Sequence, residues 1–280
     1  MAFKHCNLAL DKVRLVTEDS EPAALARLAD HAQRLRALHQ GEILVLPNVW
    51  DAASAKVAAA AGFSALATGS APIAESLGYP DHEGAPVDEM FAAAQRIINA
   101  VDLPVTVDVE AGYGLSPAEL VRRLIEIGAS GCNIEDSDHW GGGLIPAETQ
   151  ANRLAALRSA ASAAQVPMLI NARVDVYMQK WGEESQRLGE TLRRARMYLD
   201  AGADCVYPIL VADADTIRKL TAGIPGPVNV LYRRGMPSLR TLAGLGVARV
   251  TFGPGLQREV LATLRDMLSR IVSGGDPFTW

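Results

Sequence analysis

Residues 105–134 read VTVDVEAGYGLSPAELVRRLIEIGASGCNI. The run Val105–Asp108 is short and apolar, which is the pattern of a strand. Asp108 and Glu110 stand two positions apart at its end, and so on one face of an extended chain. Gly112 and Gly114 let the backbone turn sharply behind them. Residues 117–127 carry apolar side chains at helical spacing, opened by Pro117 and closed by Gly128. Residues 131–134 are apolar again. The segment is one strand–helix–strand period.

Working outward, the same period recurs along the chain. Short apolar runs at 43–46, 65–68, 168–171, 205–208, 228–230 and 249–252 join those at 105–108 and 131–134. Helical patterns lie at 21–40, 51–61, 87–100, 148–164, 184–201, 213–222, 238–245 and 257–272, and residues 69–86 read as a long polar segment. Short apolar strands without alternation suit a parallel sheet covered on both faces. The count of about eight strand–helix units predicts an α/β fold, a (β/α)8 TIM barrel, as one domain over residues 1–280. Residues 21–40 form an N-terminal helix, and 1–20 are an extension with no clear period. A doubly wound sheet is the alternative; it calls for fewer strands and a Gly-x-Gly-x-x-Gly fingerprint. Neither that fingerprint nor a P-loop is present.

The composition narrows the function. A net charge of -5 argues against nucleic-acid binding, which needs a basic field. The three cysteines, Cys6, Cys132 and Cys205, are too dispersed for a metal knuckle or a disulfide framework, which points to a reducing, cytoplasmic setting. Lys4, Asp11, Lys12 and Arg14 interrupt any signal-like apolar stretch, and no apolar run has transmembrane length.

Barrel enzymes build their sites at the C-terminal ends of the strands. That rule selects Asn48, Trp50 and Asp51, then Thr68, Gly69, Ser70 and Asp81, and then the pair Asp108 and Glu110. Further along it selects Glu135 and Asp136; Asn171, Arg173 and Asp175; Asn229, Arg233 and Arg234; and Gly253 with Gly255. A hard divalent ion, Mg2+ with Mn2+ as alternative, prefers such oxygen ligands and keeps several waters. Asp108 is the best direct ligand, with Glu110, Glu135 and Asp81 as outer acids. Arg173 can grip a carboxylate or phosphonate by two parallel hydrogen bonds. Metal plus arginine suits a small 2-keto or 2-hydroxy acid that reacts through an enolate.

Six motifs, in order, carry a resemblance. They are Trp50-Asp51, Thr68-Gly69-Ser70, Ser76-Leu77-Gly78-Tyr79-Pro80-Asp81, Asp108-Val109-Glu110-Ala111-Gly112-Tyr113-Gly114, Asn133-Ile134-Glu135-Asp136 and Asn171-Ala172-Arg173-Val174-Asp175. Together they resemble the isocitrate lyase/phosphoenolpyruvate mutase superfamily over roughly residues 40–270. The resemblance implies a (β/α)8 barrel, Mg2+ dependence, 2-keto acid or phosphonate substrates, and homo-oligomers, dimers or tetramers, that exchange the last helix. By position it implies Asp108 on the metal, Asp81, Glu110 and Glu135 on its waters, Thr68-Gly69-Ser70 on the substrate carboxylate, and Arg173 on the substrate's anionic groups.

One loop departs from the pattern. The superfamily's lyases carry a Lys-Lys/Arg-Cys-Gly-His loop after the Glu-Asp pair. Here the residues are Ser137-Asp138-His139-Trp140-Gly141-Gly142-Gly143-Leu144, without Cys or Lys. The mutases and phosphonopyruvate hydrolases also lack that Cys, but their own loop does not match well either. The glycines suit a hinged lid. His139 is a candidate acid or base in place of the Cys, or else a surface histidine. Carbon–carbon cleavage is the leading reading, with carbon–phosphorus chemistry and a non-catalytic binder as alternatives. Several residues carry two readings. Trp50 walls the pocket or packs, Asn229 and Arg233 touch substrate or do not, and Arg233-Arg234 are solvated or hold an additional anionic group. Asp175 reads as structural, Cys132 as core, and Gly253-Pro254-Gly255 as a phosphate-binding turn or a plain one.

Overall fold

The computed structural model describes residues 21–279; the extension read at 1–20 lies outside them. Nine strands are assigned among the described residues, all in parallel pairs. In order they are β1 (Leu44–Val45), β2 (Asn48–Val49), β3 (Leu66–Thr68), β4 (Val105–Asp108), β5 (Gly131–Glu135), β6 (Leu169–Val174), β7 (Cys205–Pro208), β8 (Asn229–Leu231) and β9 (Arg249–Thr251). β2 through β7 lie side by side in sequence order, and β8, β9 and β1 form a second group. β1 and β2 are one stave interrupted at Leu46-Pro47, where proline has no N–H to give the ladder. Leu46 N–H still bonds Val250 O (2.9 Å), and Ala67 N–H bonds Pro47 O (3.1 Å). At the other seam Val206 pairs with Val228 and donates to Pro227 O (3.0 Å). Hydrogen bonds thus cross both seams, and eight staves close a ring.

Ten helices among the described residues cover the ring: α1 (Glu21–Ala37), α2 (Ala52–Ala60), α3 (Ser70–Leu77), α4 (Val87–Ile98), α5 (Pro117–Glu126), α6 (Ala147–Ala163), α7 (Glu184–Asp200), α8 (Ala214–Gly223), α9 (Leu239–Gly244) and α10 (Gly255–Val272). α5 shows why the pattern folds this way. Ser116 caps it by accepting from Glu119 N–H (3.3 Å), Pro117 fills the first turn, and Gly128 at φ +82° reverses the chain. Leu120, Val121 and Leu124 face the sheet and are buried, each contributing about 1.5–3 kcal/mol of gross burial. Alternation does the rest. Val105 and Val107 enter the apolar layer under the helices, while Thr106 and Asp108 point into the barrel. No described helix is long and apolar enough to cross a membrane.

The structure corrects the sequence reading in three places. The polar segment 69–86 holds α3, whose Ser-Ala-Pro opening hid a helix too short to show a period. β6 runs on to Val174, so Arg173 is a strand residue and pairs with Glu135 and Tyr207 across the sheet. Glu110 is not extended: it sits beyond β4 at φ +49°, so the two-residue alternation does not place it.

Candidate active site

One cavity of about 350 Å³ opens at the C-terminal ends of the staves. Its acidic wall is Asp108 and Asp81; its cationic groups are Arg173, Arg249 and Arg258. Thr68, Gly69, Ser70 and Asn229 also line it, as the sequence reading expects.

Asp108 is held from β3, from the first residue of α3 and from β5. Ser70 donates to its Oδ2 through both backbone N–H (3.1 Å) and hydroxyl (3.0 Å), and Asn133 Nδ2 donates to Oδ1 (2.9 Å). Asn171 Nδ2 in turn donates to Asn133 Oδ1 (3.0 Å), and Asp108 N–H donates to Thr68 Oγ1 (2.9 Å). Glu110 N–H reaches Oδ1 as well (3.4 Å), so the carboxylate's roughly four acceptor positions are all met, and a cation at Asp108 would take the place of the longest of these contacts. Asp81 Oδ1 is buried and has no hydrogen-bond partner among the described residues. A buried carboxylate oxygen without a donor is the group a hydrated cation satisfies. Two cavity carboxylates with room for waters match Mg2+ better than an all-protein cage, and no described cluster of three or more His, Cys, Asp or Glu forms such a cage.

Glu110 and Glu135 stand behind this wall. Glu110 Oε2 accepts from Glu83 N–H (2.5 Å) and Oε1 from Tyr113 hydroxyl (3.2 Å). Burial, followed by the charges of Asp108, Asp81 and Glu135, pushes its carboxyl up to about 8, against the opposing Glu83 hydrogen bond. Glu135 lies between Arg173, its ion-pair partner through Nη1, and His139, whose Nε2 is 2.7 Å from Glu135 Oε1. Burial pushes Glu135 up to about 7, with Arg173 pulling the other way. The hydrogen bond to Glu135 raises His139 above its ordinary value. The His139 side chain is only 7% exposed, and its ring lies 5.1 Å from that of His82, a cavity residue. His139 is therefore not a surface histidine.

Arg173 is fixed by a buried network. Its Nε and Nη2 donate to the two oxygens of Asp175 (2.7 and 2.8 Å), and Nη2 also reaches Met178 Sδ (3.0 Å). Asp175 accepts from Ser137 hydroxyl (2.6 Å), and its own N–H donates to Asp136 Oδ1 (2.8 Å). Asp175, read as structural from the sequence, pairs with the guanidinium and holds it in place. Asp136 faces away from the cavity and accepts from Arg194 (2.9 Å) and Tyr198 (2.7 Å) on α7.

Other expectations fail on geometry. Arg233 is exposed, outside the cavity, and bonds Leu210 O (3.2 Å); Arg234 pairs with Glu259 at the surface. Trp50 does not line the cavity but packs against the apolar cluster around Val49 and Ala55. The loop after Asp136 is a tight hairpin closed by the Ser137–Leu144 bridge, with Trp140 86% exposed and its Nε1 on Glu83 Oε2 (3.2 Å). Cys132 and Cys205 are buried core thiols, as expected for Cys132. The sequence reading missed Tyr207, Arg249 and Arg258, all cavity residues. Arg249 was findable, since alternation with buried Val250 puts a charge inside the barrel.

Over residues 35–272 the chain matches the family described as Phosphoenolpyruvate phosphomutase. The chain belongs to the isocitrate lyase/phosphoenolpyruvate mutase superfamily. Among relatives in this superfamily, the 2-methylisocitrate lyase of Halalkalibacterium halodurans is 28% identical over 235 residues, covering 80% of this chain and 74% of that protein. The Mycobacterium tuberculosis protein Rv1998c is 36% identical over 215 residues, 77% of this chain and 79% of its own. A Burkholderia cenocepacia J2315 structure provisionally assigned as a phosphonomutase superposes with TM-score 0.81 at 42% identity, covering 86% of this chain and 99% of that one. The structure of 2,3-dimethylmalate lyase gives TM-score 0.79 at 26% identity, with 89% and 88% covered. Enzymes of the superfamily include lyases and mutases, and this chain is an enzyme of that group.

Proposed function

We propose that this superfamily enzyme is a Mg2+-dependent carbon–carbon lyase that acts on a 2-keto or 2-hydroxy acid through an enolate. The observation that carries the reading is the cavity itself, where Asp108, the unpartnered Asp81 oxygen, Thr68-Gly69-Ser70 and Arg173 meet. Mg2+, or Mn2+, would be held directly by Asp108, with Asp81, Glu110 and Glu135 on its waters, and would supply positive charge to offset a developing enolate. The side chains do the remaining work. Arg173, oriented by Asp175, binds a carboxylate in plane. Gly69 lets the turn into α3 close tightly, since a Cβ there would lie 2.9 Å from the Pro72 side chain. The His139–Glu135 pair sits beside cavity residue His82 and is placed to take the proton from a substrate hydroxyl or return one to the product carbon.

A second reading, phosphonopyruvate chemistry at a carbon–phosphorus bond, draws support from the three arginines of the cavity, which suit a phosphonyl group. Incubation with a panel of branched 2-hydroxy and 2-keto diacids plus Mg2+, assayed for pyruvate or glyoxylate, tests the lyase. Phosphonopyruvate followed by 31P NMR tests the alternative. Turnover of phosphonopyruvate with no release from the panel would replace the first reading by the second.

The reading includes a homo-oligomer, dimer or tetramer, built on α10. Val260, Leu261, Leu264, Leu268 and Ile271 are exposed along that helix, an apolar stripe that a second copy would cover. The setting proposed is cytoplasmic, where the buried thiols of Cys132 and Cys205 stay reduced.

A further inference from the structure

Backbone strain is concentrated behind the acidic wall. His82 and Glu83 follow Asp81 with φ of +66° and +58°, and Glu110 and Tyr113, on the loop after β4, stand at +49° and +56°. These are four of the seven non-glycine residues held at positive φ among the described ones. Residues with a Cβ disfavour this left-handed region and stay there only when their surroundings hold them. What holds these loops together is Glu83. Its N–H donates to Glu110 Oε2 (2.5 Å), and its Oε1 accepts from Tyr113 N–H (2.5 Å). The Tyr113 hydroxyl completes the clasp on Glu110 Oε1 (3.2 Å). Glu83 Oε2 takes Trp140 Nε1 (3.2 Å) from a third loop, the hairpin that carries His139. The tip of that hairpin is built locally, with Asp138 Oδ1 accepting from Trp140 N–H (3.0 Å) and Gly141 N–H (2.7 Å). The indole is 86% exposed, so the bond to Glu83, and not packing, fixes the ring. Glu83 does not line the cavity. It reaches the cavity only through the segments that carry Asp81, Glu110 and His139.

We propose that Glu83 is a positioning residue that sets Asp81 and Glu110 for the metal and couples them to the hairpin through Trp140. This rests on the Mg2+ reading of the cavity and not on which bond the enzyme breaks. Coupling between two sites is reciprocal. Releasing Trp140 from Glu83 therefore weakens the hold of these acids on a metal, and filling the metal site firms the bond to Trp140.

The test uses the full-length protein. Mn2+ is the affinity probe, its free concentration read by electron paramagnetic resonance. The emission of Trp140 is taken, in each background, as the difference made by Trp140→Phe. Glu83→Ala should weaken Mn2+ binding about tenfold. Trp140→Phe keeps a ring and deletes its donor; it should weaken Mn2+ about threefold in the wild-type background and not at all in Glu83→Ala, the signature of one shared interaction. Saturating Mg2+ should change the Trp140 emission in the wild-type background and leave it unchanged in Glu83→Ala. Mn2+ binding by Glu83→Ala within about twofold of wild type, or a Mg2+ response of Trp140 that survives the substitution, would overturn the role. A purely structural glutamate would give that result, with only a lower melting temperature in chelator. If Glu83→Ala does not fold, Glu83→Gln decides, because only one of its two terminal atoms can accept a hydrogen bond. An affinity reduced about threefold then supports the role, and an unchanged affinity overturns it. A wild type that binds no Mn2+ would remove the metal reading and this role with it, whereas wild-type binding that Glu83→Ala leaves intact removes the role alone.

Discussion

Replacing Arg173 by methionine removes the cation from between two buried carboxylates. Three charge-assisted contacts disappear: Nε and Nη2 to Asp175 at 2.7 and 2.8 Å, and Nη1 to Glu135. Breaking a buried pair from one side costs about 3–5 kcal/mol, because the remaining charge is left uncompensated. Here two like charges remain, softened by His139 on Glu135 and Ser137 on Asp175. The expected loss for Arg173→Met at pH 8 is therefore about 3–5 kcal/mol, on the order of 10 °C in Tm for a chain of this size. The pH dependence has a definite sign. Burial already raises the Glu135 carboxyl, and without Arg173 nothing cationic from that side opposes the rise, so the folded chain binds this proton more readily than the unfolded one, stability is gained as pH falls, and the deficit shrinks toward pH 5. Adding Asp175→Ala to Arg173→Met should restore about 1 kcal/mol or more, since one stranded charge is gone. Thermal and urea unfolding of the three variants, at one protein concentration and with chelator present, measures all of this. A loss under about 1 kcal/mol, or one that does not change between pH 8 and pH 5, would refute the view of Arg173 as the keystone of a buried charge network.

Four further outcomes are expected. His139→Gln should lower turnover by about 10²–10⁴-fold with Mg2+ affinity unchanged, read by kinetics and calorimetry; unchanged turnover removes its proton-transfer role. His39 is buried with Nδ1 on Leu35 O (2.8 Å), and burial, then nearby Arg249, lowers it to about 4. The unfolded chain therefore binds the extra proton between pH 6.5 and 4, so this group's contribution is present above pH 6.5 and is lost as pH falls through that window. His39→Gln should flatten the slope by up to about 3 kcal/mol in acid unfolding curves. Alanine at both Arg233 and Arg234 should leave KM within about twofold of wild type, because both side chains are exposed outside the cavity. Leu264→Asp with Leu268→Asp should yield a smaller species by light scattering if α10 is the subunit contact, and an unchanged mass would place the contact elsewhere.

Much of the barrel was legible because its signals are local. Each stave announces itself as a short apolar run, and each helix ends in a glycine or a polar cap, so Val105–Asp108 and Cys205–Pro208 are found at their exact bounds. α3 was not legible, because eight residues beginning Ser-Ala-Pro give no repeat to detect. The charge network was not legible for a different reason. Asp136 meets Arg194 across 58 positions of sequence, and no spacing rule links a strand-end acid to the middle of a helix three elements later. A list of strand-end residues therefore treats Asp136, Asp175 and Glu135 alike, whereas burial assigns them different duties.

The case of Asp108 shows what the missing information is. The opening stretch places a carboxylate at a strand end, but its orientation depends on which residues lie level with it on neighbouring staves. Register supplies that: Asp108 is level with Asn133, Asn133 with Asn171, and Asn171 with Cys205. The two asparagines pass hydrogen bonds along this row, Asn171 to Asn133 and Asn133 to Asp108, and Ser70 closes the other side. Orientation by neighbours at one level costs little flexibility and holds the Asp108 carboxylate in the cavity wall.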